Sequence, residues 1–352
     1  MKRTVKRALF ASVPDAILSA IVRRKLPRSA QLEATTACNL SCPLCVTHDT
    51  PRGRSMLSRD DVLSVVKGCG SRLKFVSFHV LGEPLLNPEL FAMITDCEAA
   101  NVRTSFSTNG LLLGRHRQAV LDSGLSFLSV AIDGVDAQDY ERYRKGGDFN
   151  TVVQNTRELV RARETRGATR PTVQAQMVMF SYNEDREREA QAFLGELGTD
   201  IVSLKRPAYT AHPGVAADTF LSQVDHENQA RRYARPVSSP EKLYRNQRMC
   251  PQLERATVLS DGSVVSCCLD ALGESSFGNL RENDFATIWR GRAHDRVLRD
   301  FMSGTLATCR HCTLGYQDLD DAPEPLQSPA SADEVISSSP RAEAGSARGA
   351  AG

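Results

Sequence analysis

Three cysteines stand close together early in the chain, in the run ACNLSCPLC. Cys38, Cys42 and Cys45 have C-x3-C-x2-C spacing, which allows three thiolates of one loop to bind three irons of a cubane iron–sulfur cluster. Because the loop supplies no fourth thiolate, one iron stays open for a substrate or cosubstrate. The alternative is a structural zinc site, since C-x2-C pairs bind zinc in many proteins. Zinc would need a fourth ligand, for which His48 is the nearby candidate.

A second feature is a predicted apolar strand, residues 75–80, that leads directly into Gly82-Glu83-Pro84. A loop rich in Gly and Pro at the carboxyl end of a strand lies where parallel α/β sheets bind ligands. Considered without its neighbours, Gly-Glu-Pro is more often an ordinary turn.

In combination, the cysteine triad and Gly82-Glu83-Pro84 resemble the radical S-adenosylmethionine (SAM) superfamily. In that family the open iron binds SAM, and an electron from the cluster cleaves it to a 5'-deoxyadenosyl radical that removes hydrogen from an unactivated carbon. The resemblance implies that the backbone and the Glu of this motif receive the SAM amino group, although Leu81 replaces the family's first Gly. It implies further SAM contacts at the ends of later strands, for which the candidates are Ser107, Asn109, Ser129, Asp133 and Gln176.

Strand and helix patterns alternate six times between about residues 31 and 206. Such alternation indicates a parallel sheet with crossover helices. Six units are too few for an eight-stranded barrel and match the partial (β/α)6 barrel of radical SAM cores. We therefore expect an α/β fold with a small C-terminal β-hairpin and helix iron–sulfur domain.

Five further cysteines follow an irregular polar stretch. Around them, Asp261-Gly262 joins two short strands as a hairpin, and a helix containing Ile288 and Trp289 precedes a last C-x2-C pair. This order resembles the SPASM domain and its shorter twitch form. The resemblance implies one auxiliary [4Fe–4S] cluster, because a full SPASM domain with two clusters needs more cysteines. Its ligands would be Cys250, Cys268, Cys309 and Cys312, although these four thiolates alone fit zinc about equally well.

The choice between the adjacent Cys267 and Cys268 rests on strand geometry. Neighbouring residues of a strand point to opposite faces, so we expect only Cys268 to reach the auxiliary cluster. Cys267 then has two interpretations: a hydrogen-atom donor to a product radical, as in related sugar epimerases, or a small buried hydrophobe.

The composition favours an intracellular enzyme with metal clusters. The 44 basic and 42 acidic residues nearly cancel, which gives no field for nucleic acid. Ten cysteines in cluster-type motifs indicate a reducing compartment rather than disulfides, so we expect a cytoplasmic protein. No apolar run is long enough for a membrane span. The family resemblance also implies a flavodoxin or ferredoxin-type electron donor.

These patterns divide the chain into five regions. They are a basic helical extension (1–29), a radical SAM core (30–210), a linker (211–248), a SPASM/twitch-like auxiliary cluster domain (249–317) and a disordered tail (318–352), whose composition cannot bury enough apolar surface to fold.

The architecture resembles enzymes that tailor sugars, aminocyclitols and sugar nucleosides in antibiotic biosynthesis. We therefore predict hydrogen abstraction from such a substrate, ending in alcohol oxidation, decarboxylation, epimerisation or deoxygenation. Lys205 and Arg206 either hold a substrate carboxylate or phosphate or form a solvated rim pair; His79 and Tyr182 are candidates for proton transfer. The alternatives are a maturase that modifies a ribosomal peptide and a non-catalytic zinc-binding module.

Overall fold

A single nine-stranded sheet organises the computed structural model, with strand order β6-β5-β4-β3-β2-β1-β7-β8-β9. The structure describes residues 25–207, 220, 250–303 and 305–310. Strands β1 to β6 are parallel and comprise Ser29–Leu32, Phe75–Phe78, Arg103–Thr108, Phe127–Ala131, Thr172–Val178 and Ile201–Lys205. The predicted α/β core with six parallel strands in an open sheet is confirmed.

The helices of the core connect these strands. They are α1 (Arg59–Cys69), α2 (Leu90–Ala99), α3 (Leu113–Asp122), α4 (Ala137–Tyr143), α5 (Phe149–Thr165) and α6 (Glu187–Gly195). Helix α1 begins at a capping box, in which the Ser58 side chain accepts from the backbone N–H of Asp61 and the Asp61 carboxylate accepts from that of Ser58. Helix α4 was not predicted, and it proves important for the site. In the part of the chain that the structure describes, no helix is long and apolar enough to cross a membrane.

The two faces of the parallel sheet differ sharply in polarity. Val76, Phe78 and Leu128 point to the buried core, whereas the alternate positions carry small polar side chains. In register across the strands, Gln31 lies opposite Ser77, Ser77 opposite Ser105, Ser107 opposite Ser129, Ser129 opposite Gln174, and Gln176 opposite Ser203. We call these eight residues the polar face.

The C-terminal hairpin extends the core sheet. Strand β7 (Ala256–Val258) pairs in parallel with β1, and β8 (Ser263–Val265) and β9 (Gly278–Asn279) follow antiparallel. Helices α7 (Phe285–Trp289), α8 (Arg292–Met302) and α9 (Ala307–Arg310) complete the described part. The predicted Asp-Gly hairpin and the helix with Trp289 are present; the N-terminal extension before residue 25, the predicted linker apart from Phe220, and the tail lie outside the described residues.

Candidate metal and cofactor site

The three cysteines of the triad lie in the loop between β1 and α1, at the carboxyl end of the parallel sheet. Each is partly buried, and the loop is held by backbone hydrogen bonds from Cys45 N to Cys42 O (3.0 Å) and from Ser41 N to Lys145 O (2.9 Å). The Nε2 atom of His48 donates to the Leu40 carbonyl at 2.6 Å, because a carbonyl can only accept. His48 therefore uses one of its two ring nitrogens to stabilise the loop.

Burial governs the electrostatics of these thiols. It raises the pKa of Cys42 to about 11 and also raises the pKa of Cys38 and Cys45, so the thiolates need positive charge nearby. Among the described residues, no three His, Cys, Asp or Glu side chains converge where one metal ion could sit. A cluster takes one thiolate on each of three irons, and the soft donors of this loop fit such a group.

Arg144 is the cation nearest to the triad. Its Nη1 atom lies 3.8 Å from Cys42 Sγ, while its Nε atom donates to Asp133 Oδ2 at 2.7 Å. The other carboxylate oxygen of Asp133 accepts from Val178 N at 2.8 Å. Asp133 is completely buried and orients Arg144; its predicted contact with SAM stays a prediction. No sequence motif pointed to Arg144, which directly follows the unpredicted helix α4.

Gly82 approaches the start of the cysteine loop at very short range. Its φ is +73°, and a Cβ there would lie 2.1 Å from the carbonyl oxygen of Thr35. Its N–H donates to Thr47 Oγ1 at 3.1 Å, and Glu83 N donates to Ala37 O at 2.8 Å. The motif is therefore joined by its backbone to both sides of the triad.

The carboxylate of Glu83 is buried and hydrogen-bonded to neighbouring residues of the protein. It accepts from Thr108 Oγ1 and Asn109 N, both at 2.8 Å, and from Leu85 N at 3.2 Å. Burial raises the pKa of Glu83, and these donors oppose the shift. The residue is 2% exposed, and these hydrogen bonds tie the loop after β2 to the end of β3. Its predicted contact with the SAM amino group stays a prediction; Pro84 begins the short 3-10 helix that follows.

Of the predicted strand-end contacts, Asn109 reaches the cysteine loop. Its Nδ2 atom donates to Asn39 Oδ1 at 2.8 Å, next to Cys38. Ser107 and Ser129 lie in register on the polar face, and the Oγ atom of Ser129 is 3.5 Å from Gln176 Oε1. Their contacts with SAM stay predictions.

Lys205 and Arg206 do not act as a pair. Lys205 Nζ donates to Gln176 Oε1, on the polar face, whereas Arg206 forms an ion pair with Glu184 at 2.5 Å. Adjacent residues at a strand end point to opposite sides, which separates the two cations. Only Lys205 continues the polar face.

The two candidates for proton transfer also differ. His79 lies at the end of β2, where part of the residue reaches solvent. Protein atoms packed around its ring, and then the charges of Lys205 and Arg144, lower its pKa. Tyr182 is engaged elsewhere: its hydroxyl donates to the Asp139 carbonyl at 3.3 Å, and the Arg142 guanidinium lies 4.3 Å above its ring. Burial raises the pKa of Tyr182, and proton transfer by this residue stays a prediction.

The second set of cysteines surrounds the C-terminal hairpin. Cys250 precedes a short 3-10 helix and Cys309 lies in α9; both pack partly buried against the core. Cys267 and Cys268 lie in a turn, in which Asp270 N donates to Cys267 O at 3.1 Å. The choice of Cys268 assumed that both cysteines lie on a strand, and this assumption is wrong because strand β8 ends at Val265. The choice of Cys268 over Cys267 itself stays a prediction. Cys312 lies outside the described residues.

Comparison with known proteins agrees with this geometry. Residues 32–193 match the Radical SAM superfamily model, and residues 250–313 match SPASM, an iron–sulfur cluster-binding domain. The chain is 23% identical to a GTP 3',8-cyclase of Alkaliphilus metalliredigens, over 67% of this chain and 79% of that protein. It is 22% identical to a tungsten-containing aldehyde ferredoxin oxidoreductase cofactor-modifying protein of Pyrococcus furiosus, over 80% and 86%.

A solved structure shows the same fold. SuiB of Streptococcus suis bound to S-adenosylmethionine superposes with a TM-score of 0.59 at 14% identity, covering 83% of this chain and 73% of that one. The two domains imply two kinds of cofactor: a SAM-binding [4Fe–4S] cluster in the core and an auxiliary iron–sulfur cluster in the SPASM domain. Iron–sulfur binding is therefore favoured over zinc at both cysteine sets. The chain thus carries a Radical SAM domain at residues 32–193 and a C-terminal SPASM domain, which is an iron–sulfur cluster-binding domain, at residues 250–313.

Proposed function

We propose that this enzyme abstracts hydrogen from a carbon of a small, polar substrate of the sugar, aminocyclitol or sugar-nucleoside class that carries a carboxylate or phosphate group. When bound, the cluster and SAM supply the 5'-deoxyadenosyl radical for that step. The observation that carries the proposal is the polar face, which ends in His79 and Lys205. Neither relative's name supports the narrower prediction of antibiotic biosynthesis, so the proposal concerns substrate chemistry.

The polar face suits a substrate with many hydroxyl groups. Small-molecule pockets are usually lined mainly by apolar side chains with few polar groups, whereas here serine and glutamine follow one another in register across six strands. Serine hydroxyls and glutamine amides each both donate and accept hydrogen bonds. A sugar or cyclitol ring offers the complementary set of donors and acceptors.

Lys205 supplies the preference for an anion. Its hydrogen-bond partner, the Gln176 amide, is neutral, and among the described residues no carboxylate lies within ion-pair distance of it. The nearby Asp133 carboxylate is already paired with Arg144. An exposed ammonium with a neutral neighbour is suited to bind a substrate carboxylate or phosphate through charge-assisted hydrogen bonds.

One further point supports the proposal, and the cluster ligands complete it. The matched relative of Alkaliphilus metalliredigens is named for GTP, a molecule that joins a sugar to anionic phosphates.

For cofactor binding, we assign Cys38, Cys42 and Cys45 to the SAM cluster, and we assign Cys250, Cys268, Cys309 and Cys312 to one auxiliary [4Fe–4S] cluster.

The test is release of 5'-deoxyadenosine by anaerobically reconstituted enzyme with SAM and dithionite. Pools of sugar acids, sugar phosphates, aminocyclitols and nucleotides are compared with a pool of candidate precursor peptides. We expect an anionic small-molecule pool to raise the release above the substrate-free baseline. In Lys205→Met the KM for the active compound should rise about tenfold or more, the value of one charge-assisted contact, while the matched variant Arg206→Met stays near wild type. Stimulation by peptides alone would contradict the proposal.

A further inference from the structure

A buried ion pair connects the segment that carries the cysteine triad with the C-terminal hairpin. Glu33 follows β1, five residues before Cys38, and is completely buried. Arg52 follows the triad, and its Nη1 and Nη2 atoms each lie 2.9 Å from a different oxygen of Glu33. The arginine side chain is 7% exposed, so the pair is shielded from solvent.

The same two side chains reach across to the hairpin. Glu33 Oε2 also accepts from Ser260 N at 2.9 Å and from Ser260 Oγ at 2.7 Å. The Nε atom of Arg52 donates to the carbonyl of Ala271 at 2.9 Å, and Ala271 lies three residues after Cys268. One guanidinium therefore donates a hydrogen bond to Glu33 through Nη2 and another through Nε to the turn that bears the cysteine pair, while Nη1 adds only an ion-pair contact with Glu33.

The turn has its own internal hydrogen bonds, which make it a rigid unit. Asp270 Oδ1 accepts from Glu274 N at 2.8 Å, and Asp270 Oδ2 accepts from Ser275 N at 2.7 Å. Ser275 joins this unit to Ser266 at the end of β8, and Arg52 joins it to the segment that carries the triad. Because buried ion pairs contribute little net stability against apolar replacements, the value of this pair lies in the geometry that it fixes.

From these contacts we infer that Arg52, oriented by Glu33, is a positioning residue for the turn of residues 267–271 and hence for the auxiliary cluster. Groups that orient metal ligands from outside the coordination sphere strongly affect metal retention. The planar guanidinium group contacts Glu33 and the Ala271 carbonyl with different nitrogens at the same time. A lysine carries a single ammonium group and cannot replace Arg52 in both contacts. The inference rests on the proposed assignment of the auxiliary cluster to these cysteines.

The experiment compares wild type, Arg52→Lys and the surface control Arg59→Lys, whose arginine pairs bidentately with Asp96 at 50% side-chain exposure. Each full-length protein is reconstituted anaerobically, and electron paramagnetic resonance is recorded on the reduced protein with and without SAM. Only the cluster with an open iron should respond to SAM. In Arg52→Lys we expect the SAM-insensitive signal to be lost, or a chelator to remove iron from the auxiliary cluster about tenfold faster than in wild type. The SAM-sensitive signal should be kept. Arg59→Lys should match wild type.

Hydrogen exchange gives a second readout that needs no cluster. The amides of Asp270, Glu274 and Ser275 should exchange faster in Arg52→Lys than in wild type, while those of β4 stay protected. Equal exchange and equal signals in Arg52→Lys and wild type would overturn the inference alone. A wild-type protein with no SAM-insensitive signal would overturn both the inference and the assignment of the auxiliary cluster.

Discussion

Replacing Gly82 by alanine tests the close approach between the Gly-Glu-Pro loop and the cysteine loop. A residue with a Cβ at a left-handed φ costs about 1–2 kcal/mol. Here the added Cβ would also lie 2.1 Å from Thr35 O and 2.8 Å from Ala37 O, both backbone atoms that cannot rotate away. Overpacking of this kind adds about 1–3 kcal/mol. The expected loss in the free energy of unfolding is therefore about 2–5 kcal/mol.

Two other glycines separate the cost of the left-handed backbone conformation from the cost of the steric overlap. Gly53 has φ +68° and nothing within 4 Å of an added Cβ, so Gly53→Ala should lose only the conformational part, about 1–2 kcal/mol. Gly195, in α6, has the same open surroundings without the positive φ, and alanine there should gain about 0.5–1 kcal/mol. Urea unfolding of the cluster-free proteins gives all three values. If Gly82→Ala costs no more than Gly53→Ala, the steric argument is wrong.

Three further predictions concern charge and ligation. Arg144→Met should lower the midpoint potential of the SAM cluster in a redox titration, because it removes the cation that stabilises the reduced state; Arg142→Met should leave it unchanged. His79 has a pKa lowered from 6.5 to about 4, so as the pH falls the unfolded chain takes up the imidazole proton at a higher pH than the folded chain does. Stability should therefore fall as the pH drops from 6.5 towards 4, and fall less in His79→Gln, as followed by thermal unfolding. Cys268→Ser should remove the SAM-insensitive iron signal, whereas Cys267→Ser should keep it.

The motifs that could be predicted from the sequence are those carried by short stretches of chain. The C-x3-C-x2-C triad, the Gly82-Glu83-Pro84 turn and the Asp261-Gly262 hairpin each need only a few neighbouring residues to be distinctive. The alternation of strands and helices likewise follows from periodicity along the chain. These features were enough to predict the open α/β sheet and both cluster-binding regions.

The direction and partners of individual side chains could not be predicted in this way. Arg144 and Cys42 are 102 residues apart in sequence, and Arg52 and Ala271 are 219 apart, so no local pattern connects them. The resemblance implied SAM contacts for Glu83 and Asp133, but the sequence did not show that both carboxylates are buried and hydrogen-bonded to Thr108 and Arg144 respectively. The contacts of Tyr182 with Asp139 and Arg142 were likewise not visible in the sequence.

The most direct measurement of the central claim uses deuterium. The small-molecule pool that stimulates 5'-deoxyadenosine release is replaced by compounds deuterated at their ring carbons, and the deoxyadenosine is analysed by mass spectrometry. Our account predicts that one deuterium appears in the 5'-deoxyadenosine from one labelled position. Stimulated release with no label from any ring carbon, or label transferred only from a deuterated peptide, would contradict it.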